Sequence, residues 1–397
     1  MKGRKILSRL NLIFRGTGIL FNVLVIGWLF LCLYASYYDV SANSSLISLF
    51  SFTNFFAVLA NVFFVFFWLL TRKKKYFIWS LIALIVAFPI VKSSFAFNLM
   101  SSKSITKEEQ YLKVMTWNVH LFDLGEWTKN KQTKNRIIDF VEKQQPDILC
   151  LQEYYFDSKN PNEPFLETLR GLGYAYYEFA EEGQYWKKFL NISAKSTELI
   201  TVGTAVISKF PLSKPEVFNL SSENEYYKML GVNVDLGEEK EFRLFTTHLQ
   251  SVNFVGNEVE EAEARANSVS TKVDHVAKGI LKKIIKSSSK RAEQANFIDS
   301  VLDKSVMPSV FCGDFNDMPG SYVYRKIKGD RKDAFSAKGF GWGRTYRNIF
   351  PTIRIDYIFY DSDFLNCEAA SAPDLSLSDH NPVIATFSLK NTPKNNH

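Results

Sequence analysis

Residues 309–321, SVFCGDFNDMPGS, set an apolar, strand-like run, Val310-Phe311-Cys312, directly against Gly313-Asp314-Phe315-Asn316-Asp317. Glycine, aspartate and asparagine are ordinary turn residues, and Pro319-Gly320 is turn chemistry as well. A buried strand that ends on two carboxylates and a carboxamide has a second reading, because ligand-binding groups in layered α/β folds gather at strand ends and loops. The choice depends on whether other strands end in the same way.

Apolar runs of this kind recur on both sides: LKVMTWNV (112–119), DILCLQE (147–153), TAVIS (204–208), FRLFTTHL (242–249), RIDYIFY (354–360) and PVIATFSL (382–389). Between them NRIIDFVEKQ, VDHVAKGILKKII and AEQANFIDSVL have helical spacing, so the pattern predicts an α/β fold with sheets buried under helices. Asn118 closes the first run, Glu153 the second, His248 the fourth, and Asp314 with Asn316 the fifth; Asp356 lies inside the sixth, and Asp379-His380 precede the last. This set of carboxylates, carboxamides and two imidazoles, without cysteine, suits a hard cation, Mg²⁺ or Mn²⁺, with acid–base groups beside it. Cys32, Cys150, Cys312 and Cys367 form no C-x-x-C pair, so zinc and thiol redox chemistry are not expected.

Taken in order over residues 112–385, TWNV, QPDILCLQE, TTHLQ, GDFNDMPGS, RIDYIF and SDHNPV resemble the endonuclease/exonuclease/phosphatase superfamily. The resemblance implies a four-layer α/β sandwich and metal-dependent cleavage of a phosphoester. Carried over by motif, Asn118 and Glu153 would hold the metal with Asp379 close to it. His380 would be the imidazole at the scissile phosphate, oriented by Asp356. Asp314 and Asn316 would position the attacking water and the phosphoryl oxygens, and His248 would donate to a phosphate oxygen. Such chemistry needs charge neutralisation, an in-line water and an imidazole able to move a proton or stabilise the transition state.

Rival assignments are weaker. Ser378-Asp379-His380 is no hydrolase triad, because neighbours in an extended segment point to opposite faces and no G-x-S-x-G accompanies them. GFGWGRTY (339–346) does not open a helix after a strand, as a nucleotide fingerprint would; it reads either as a loop near the substrate, with Trp342 and Tyr346 as contacts, or as plain turn structure. His120, His275 and His397 are given no role.

The first quarter of the chain is different. Twelve of the 48 Lys and Arg, but only three of the 41 acidic residues, lie in residues 1–110, a balance of +9; the remainder, 36 basic against 38 acidic, balances at −2. The overall +7 therefore does not signal a nucleic-acid binder. Three apolar stretches, about 16–38, 46–70 and 76–99, are expected to be transmembrane helices, the third being short. Basic loops face the cytoplasm, and the connection DVSANSS carries no Lys or Arg, so the N-terminus is expected inside and, with three crossings, the catalytic domain outside; a third segment that does not span reverses the placement of the domain. The expected organisation is a membrane anchor (1–100), a linker (101–110), a catalytic domain (111–390) with a helical insertion at about 251–300, and a polar tail (391–397). A membrane-anchored phosphoesterase acting on a small or lipid-linked substrate is the leading expectation. A nuclease ranks second, a non-catalytic binding module third, and a transporter is disfavoured because the spans hold few polar groups.

Overall fold

A computed structural model of the chain describes residues 2–42, 46–71, 73–98, 111–125, 132–157, 164–186, 199–221, 226–252, 269–348 and 353–390. The expected linker, the polar tail and residues 253–268 of the expected insertion lie outside the described residues, as do the side chains of 2–14 and 269–277.

Two six-stranded sheets carry the fold, beside a small antiparallel pair of β1 (Ala96–Phe97) with β11 (Phe340–Gly341). The first contains β2 (Tyr111–Asn118), β3 (Ile148–Asp157), β4 (Tyr176–Trp186), β5 (Leu199–Ser208), β13 (Leu365–Ser371) and β14 (Val383–Leu389), in the order β13-β14-β2-β3-β5-β4. The second contains β6 (Leu212–Asn219), β7 (Lys228–Asp235), β8 (Glu241–His248), β9 (Ser309–Asp314), β10 (Lys332–Asp333) and β12 (Asp356–Tyr360), in the order β10-β12-β9-β8-β7-β6. Each sheet has one parallel pair, β2 with β3 and β8 with β9. Parallel neighbours end at the same edge, so Asn118, Glu153, His248 and Asp314 arrive there from four strands.

The sheets face one another across Val114, Ile148, Val206, Leu244, Val310 and Ile358. Burying an aliphatic side chain of this kind contributes about 1.5–3 kcal/mol. The outer face of the first sheet is covered by helices α5 (Thr133–Gln144) and α6 (Pro164–Gly171) through Ile137, Val141, Phe165 and Leu169. The second is covered by α7 (Val269–Leu302) and α8 (Tyr322–Lys328) through Ala295, Ile298, Val323 and Ile327. The result is the expected four layers. The two helical stretches anticipated between 273 and 302 are one continuous helix, α7. The apolar runs do not signal β4, β6, β7 and β13, nor the two-residue strands β1, β10 and β11.

At the N-terminus α1 (Lys2–Tyr37) and α2 (Asn54–Leu70) precede α3 (Phe77–Val86) and α4 (Phe88–Ser94). Two segments, Arg15–Tyr37 and Leu46–Leu70, are long and apolar enough to cross a membrane. The third expected helix is broken: Lys74–Val86 and Phe88–Ser94 meet at a 75° bend. Pro89, in the first turn of α4, has no N–H to continue the ladder, and the Ala87 carbonyl instead accepts from both Ile90 and Val91 at 3.0 and 3.1 Å. Leu29 and Cys32 of α1, Ala57 of α2, Ala83 of α3 and Ile90 of α4 form a common buried cluster.

This N-terminal unit is bonded to the sandwich. Arg325 Nε donates to the Ser36 carbonyl at 2.9 Å and its guanidinium lies 4.3 Å from the Tyr37 ring. Arg354, fully buried, donates to the Ser93 carbonyl and to Asp333 Oδ2, each at 2.7 Å. Asn54 Nδ2 donates to the Pro319 carbonyl at 3.1 Å. The second half of the opening stretch, DMPGS, is therefore a docking loop.

Candidate active site

The first half of that stretch meets the other strand ends. Gly313 has φ +140°, and a Cβ there would lie 2.0 Å from the Thr247 carbonyl oxygen, so only glycine lets β9 approach β8 closely enough. Asp314, the next residue, is completely buried and faces across to the other sheet. Its Oδ2 accepts from Asn118 Nδ2 at 3.1 Å, and its Oδ1 accepts from the Asn316 N–H at 2.9 Å. The same Asn118 nitrogen donates to Glu153 Oε1 at 3.0 Å, while Asn118 Oδ1 accepts from the His120 N–H at 3.0 Å.

Glu153 reaches this point because β3 is irregular there. Pairing of β3 with β5 shifts register between Leu151 and Tyr154, and Glu153 takes φ +49°. A bulge re-aims a side chain at the cost of about 1 kcal/mol for a non-glycine residue in the left-handed region. Just below, Gln152 Nε2 bridges Thr116 Oγ1 and Thr246 Oγ1 at 3.1 and 3.0 Å, tying the two sheets together beneath the site.

His380 Nδ1 lies 3.0 Å from Asp356 Oδ2, and its Nε2 lies 3.7 Å from Asp314 Oδ2. Its loop is fixed from β2: Trp117 Nε1 donates to the His380 carbonyl at 2.9 Å, and Ser378 Oγ donates to the Asn118 carbonyl at 2.8 Å. Burial opposes the charged imidazole, yet the carboxylates of Asp356 and Asp314 outweigh it and raise the His380 pKa well above the usual value. Burial pushes the Asp356 carboxyl up, to about 6. His248 Nε2 stands 3.7 Å from Asp314 Oδ2 and 3.9 Å from Glu153 Oε1. It too is raised, burial being outweighed by Asp314, Glu153 and Glu182.

A cavity of about 450 Å³ opens over these groups, lined by Glu153, His248, Asp314, Asn316, Tyr346, Asp379 and His380 on its polar side. Tyr346 packs edge-on to His380 with centroids 5.0 Å apart. Trp342 is placed elsewhere, between the rings of Phe55 at 4.5 Å and Phe95 at 4.4 Å, and does not line the cavity. Asn316 Nδ2 is committed to the Leu249 carbonyl at 3.0 Å.

Two further groups belong to this surrounding. His120, given no role from sequence, has Nδ1 3.1 Å from Asp379 Oδ1. Burial raises the Asp379 carboxyl, but the His120 hydrogen bond and the charge of His380 bring it below its usual range. The placement follows from a run of four left-handed residues, His120 to Asp123, which the sequence HLFD does not signal. Glu182, at a register shift in β4, accepts from Thr204 Oγ1 at 2.7 Å, and burial pushes its carboxyl up to about 7.

The tightest group of ligand-type atoms among the described residues is Asp314, Asp356 and His380, within 4.8 Å. There, however, His380 Nδ1 and Asp356 Oδ2 are committed to each other. The better point for a cation is where Glu153 Oε1 and Asp314 Oδ2 both turn to the Asn118 amide, a position that already attracts a donor to two carboxylates. Oxygen donors of this kind fit a hard divalent ion.

Comparison with known proteins agrees with this architecture. The model of the Endonuclease/Exonuclease/phosphatase family matches residues 115–380, and that of a domain of unknown function (DUF8431) matches residues 11–94. The human Nocturnin catalytic domain superposes with a TM-score of 0.50 at 21% identity, over 71% of this chain and 97% of that one. An endonuclease/exonuclease/phosphatase from Beutenbergia cavernae gives 0.50 at 22% identity, over 72% and 73%. Identities this low establish the fold alone. A curated sphingomyelinase from Dictyostelium discoideum is 29% identical over 119 residues, 27% of this chain, and the match spans about a quarter (24%) of that relative's length. With a family match over most of the sandwich, and with five of the six motifs lining one cavity while Asn118 of the first bonds to Glu153 and Asp314 there, the chain belongs to the endonuclease/exonuclease/phosphatase family.

Proposed function

We propose that this protein is a membrane-anchored, Mg²⁺- or Mn²⁺-dependent phosphoesterase, with residues 1–100 as anchor and 111–390 as catalytic domain, acting outside the cytoplasm on a small or lipid-linked phosphoester. The observation that carries the catalytic part is the convergence of Asn118, Glu153, His248, Asp314 and the Asp356–His380 pair from both sheets at one end of the sandwich. Glu153 and Asn118, with Asp379 close to them, would hold the ion, which when bound would neutralise charge on the phosphoryl oxygens.

The remaining roles follow from the chain's own groups. Asp356 accepts the Nδ1 proton and so leaves Nε2 of His380 facing the cavity. With its pKa raised, His380 is a charged donor suited to a phosphoryl oxygen. Asp314, 3.7 Å from both imidazole Nε2 atoms, is then the group placed to orient a water and take its proton. His248 supplies a second donor, and Tyr346 closes the side of the cavity.

Charge bounds the substrate. A protein that grips a long duplex needs many cations and binds it with steep salt dependence, whereas residues 111–397 balance at −2. Full-length protein in detergent, assayed at two salt concentrations for plasmid nicking and for phospholipid head-group release, separates the readings. Head-group or small-diester hydrolysis is expected; efficient salt-sensitive nicking without lipid turnover would move the assignment to a nuclease.

A further inference from the structure

The catalytic cavity has a second wall that phosphoester chemistry does not require. Besides the carboxylates and imidazoles, the cavity is lined by Phe52, Phe55 and Phe56 from the N-terminal unit, with Ile284 of α7, Met318 of the docking loop and Ile353. A phosphate gains nothing from such a wall, and although nucleobases stack on aromatic rings, the aliphatic Ile284, Met318 and Ile353 that complete it suit hydrocarbon.

The wall is built. Phe55 is locked edge-on between Trp342 at 4.5 Å and Phe56 at 5.2 Å. The guanidinium of Arg291 lies 6.0 Å from the Phe52 ring, and Arg291 is itself fully buried, with Nε donating to Asp317 Oδ2 at 3.0 Å and Nη1 to the Gln250 carbonyl at 3.1 Å. Phe56 nonetheless keeps 41% of its surface exposed.

Position supplies the occupant. Phe52, Phe55 and Phe56 lie in the segment Leu46–Leu70, which is long and apolar enough to cross a membrane, at the end that meets the sandwich. Hydrocarbon held against them is continuous with the hydrocarbon around the span. A chain could thus enter the cavity without each methylene being transferred through water.

We infer that Phe52, Phe55, Phe56 and Ile284 form a hydrocarbon subsite of the active site, and that the substrate is an amphiphile bearing its phosphoester beside an acyl or alkyl chain drawn from the same bilayer. The N-terminal unit is then part of the substrate site as well as a tether. The inference rests on the phosphoester-hydrolase reading.

A series of p-nitrophenyl alkyl phosphates from methyl to dodecyl, given to the full-length protein in nanodiscs, tests it. The wild type should show kcat/KM rising along the series. Phe56→Ser and Ile284→Ser should each lower the dodecyl-to-methyl ratio about tenfold, and Phe56→Leu should recover most of it. A flat wild-type series, or a ratio unmoved in folded Ser variants, overturns the subsite while leaving the hydrolase reading intact. No hydrolysis of any ester overturns the reading beneath it, and the inference with it.

Discussion

Asp356 is sealed from water and lies 3.0 Å from His380 Nδ1, so its effect on a reaction is exerted through the imidazole. Asp356→Asn should lower kcat by on the order of 10²–10⁴ with little change in KM, because the ring loses its fixed tautomer while the cavity keeps its shape. Steady-state kinetics beside a thermal melt would check this; wild-type kcat in the variant would end the orienting role. Glu182 gives a prediction of another kind. Its carboxyl is pushed up to about 7 by burial, so the folded protein keeps the proton while the unfolded chain ionises. Stability must therefore fall as pH rises from about 4.5 toward 7. Glu182→Gln should remove that loss, gaining up to about 3 kcal/mol at pH above 7 and nothing below 4.5. Unfolding with EDTA present at both ends of the range decides it, and an equal effect at both would contradict the buried-acid account. Residues at strand ends, such as Asn118, Asp314 and His248, were legible because apolar runs stop on them. His120 and Glu182 were not, since a left-handed turn and a strand irregularity placed them.

Among the elements, strands with unbroken apolar runs were legible and those without were hidden. β6, LSKPEVFN, is largely exposed and carries Lys, Pro and Glu, as an edge strand does to discourage pairing. β7, KMLGVNVD, is interrupted by Gly231, where a Cβ would meet Arg243 Nη2 and Phe245 at 2.9 Å. The aromatic run 52–56 read only as membrane span, because nothing local says that one face meets a catalytic cleft. The third apolar segment is the least regular: Lys74–Val86 rises about 20 Å against a bilayer core of about 30 Å, and α4 then turns by 75°. Even so, Ser36 of α1, Asn54 of α2 and Ser93 of α4 all bond to the sandwich. Arg15 and Tyr76 pair at the far end at 2.6 Å. On the proposed membrane anchoring, that arrangement fits three crossings with the sandwich outside. A reporter active only outside the cytoplasm should be active when fused after Ile105 and silent when fused at Lys74; the reverse pattern would put the catalytic domain inside.

For the whole molecule, charge and contact agree on one division of labour. The basic excess lies in residues 1–110, and the sandwich is near neutral. Buried Arg354, bonded to both Ser93 and Asp333, joins the two units two residues before Asp356, so the N-terminal unit and the active site are connected through one buried side chain. The central claim is that a divalent ion and the Asp314–His380 groups together hydrolyse a phosphoester. The direct measurement is turnover of bis(p-nitrophenyl) phosphate by EDTA-stripped full-length protein, before and after Mg²⁺ or Mn²⁺ is restored, in the wild type and in Asp314→Asn and His380→Ala. The account predicts no turnover until metal is added, recovery in the wild type, and a loss on the order of 10³ or more in both folded variants. Full activity in excess EDTA, or near-wild-type turnover in either variant, would contradict it.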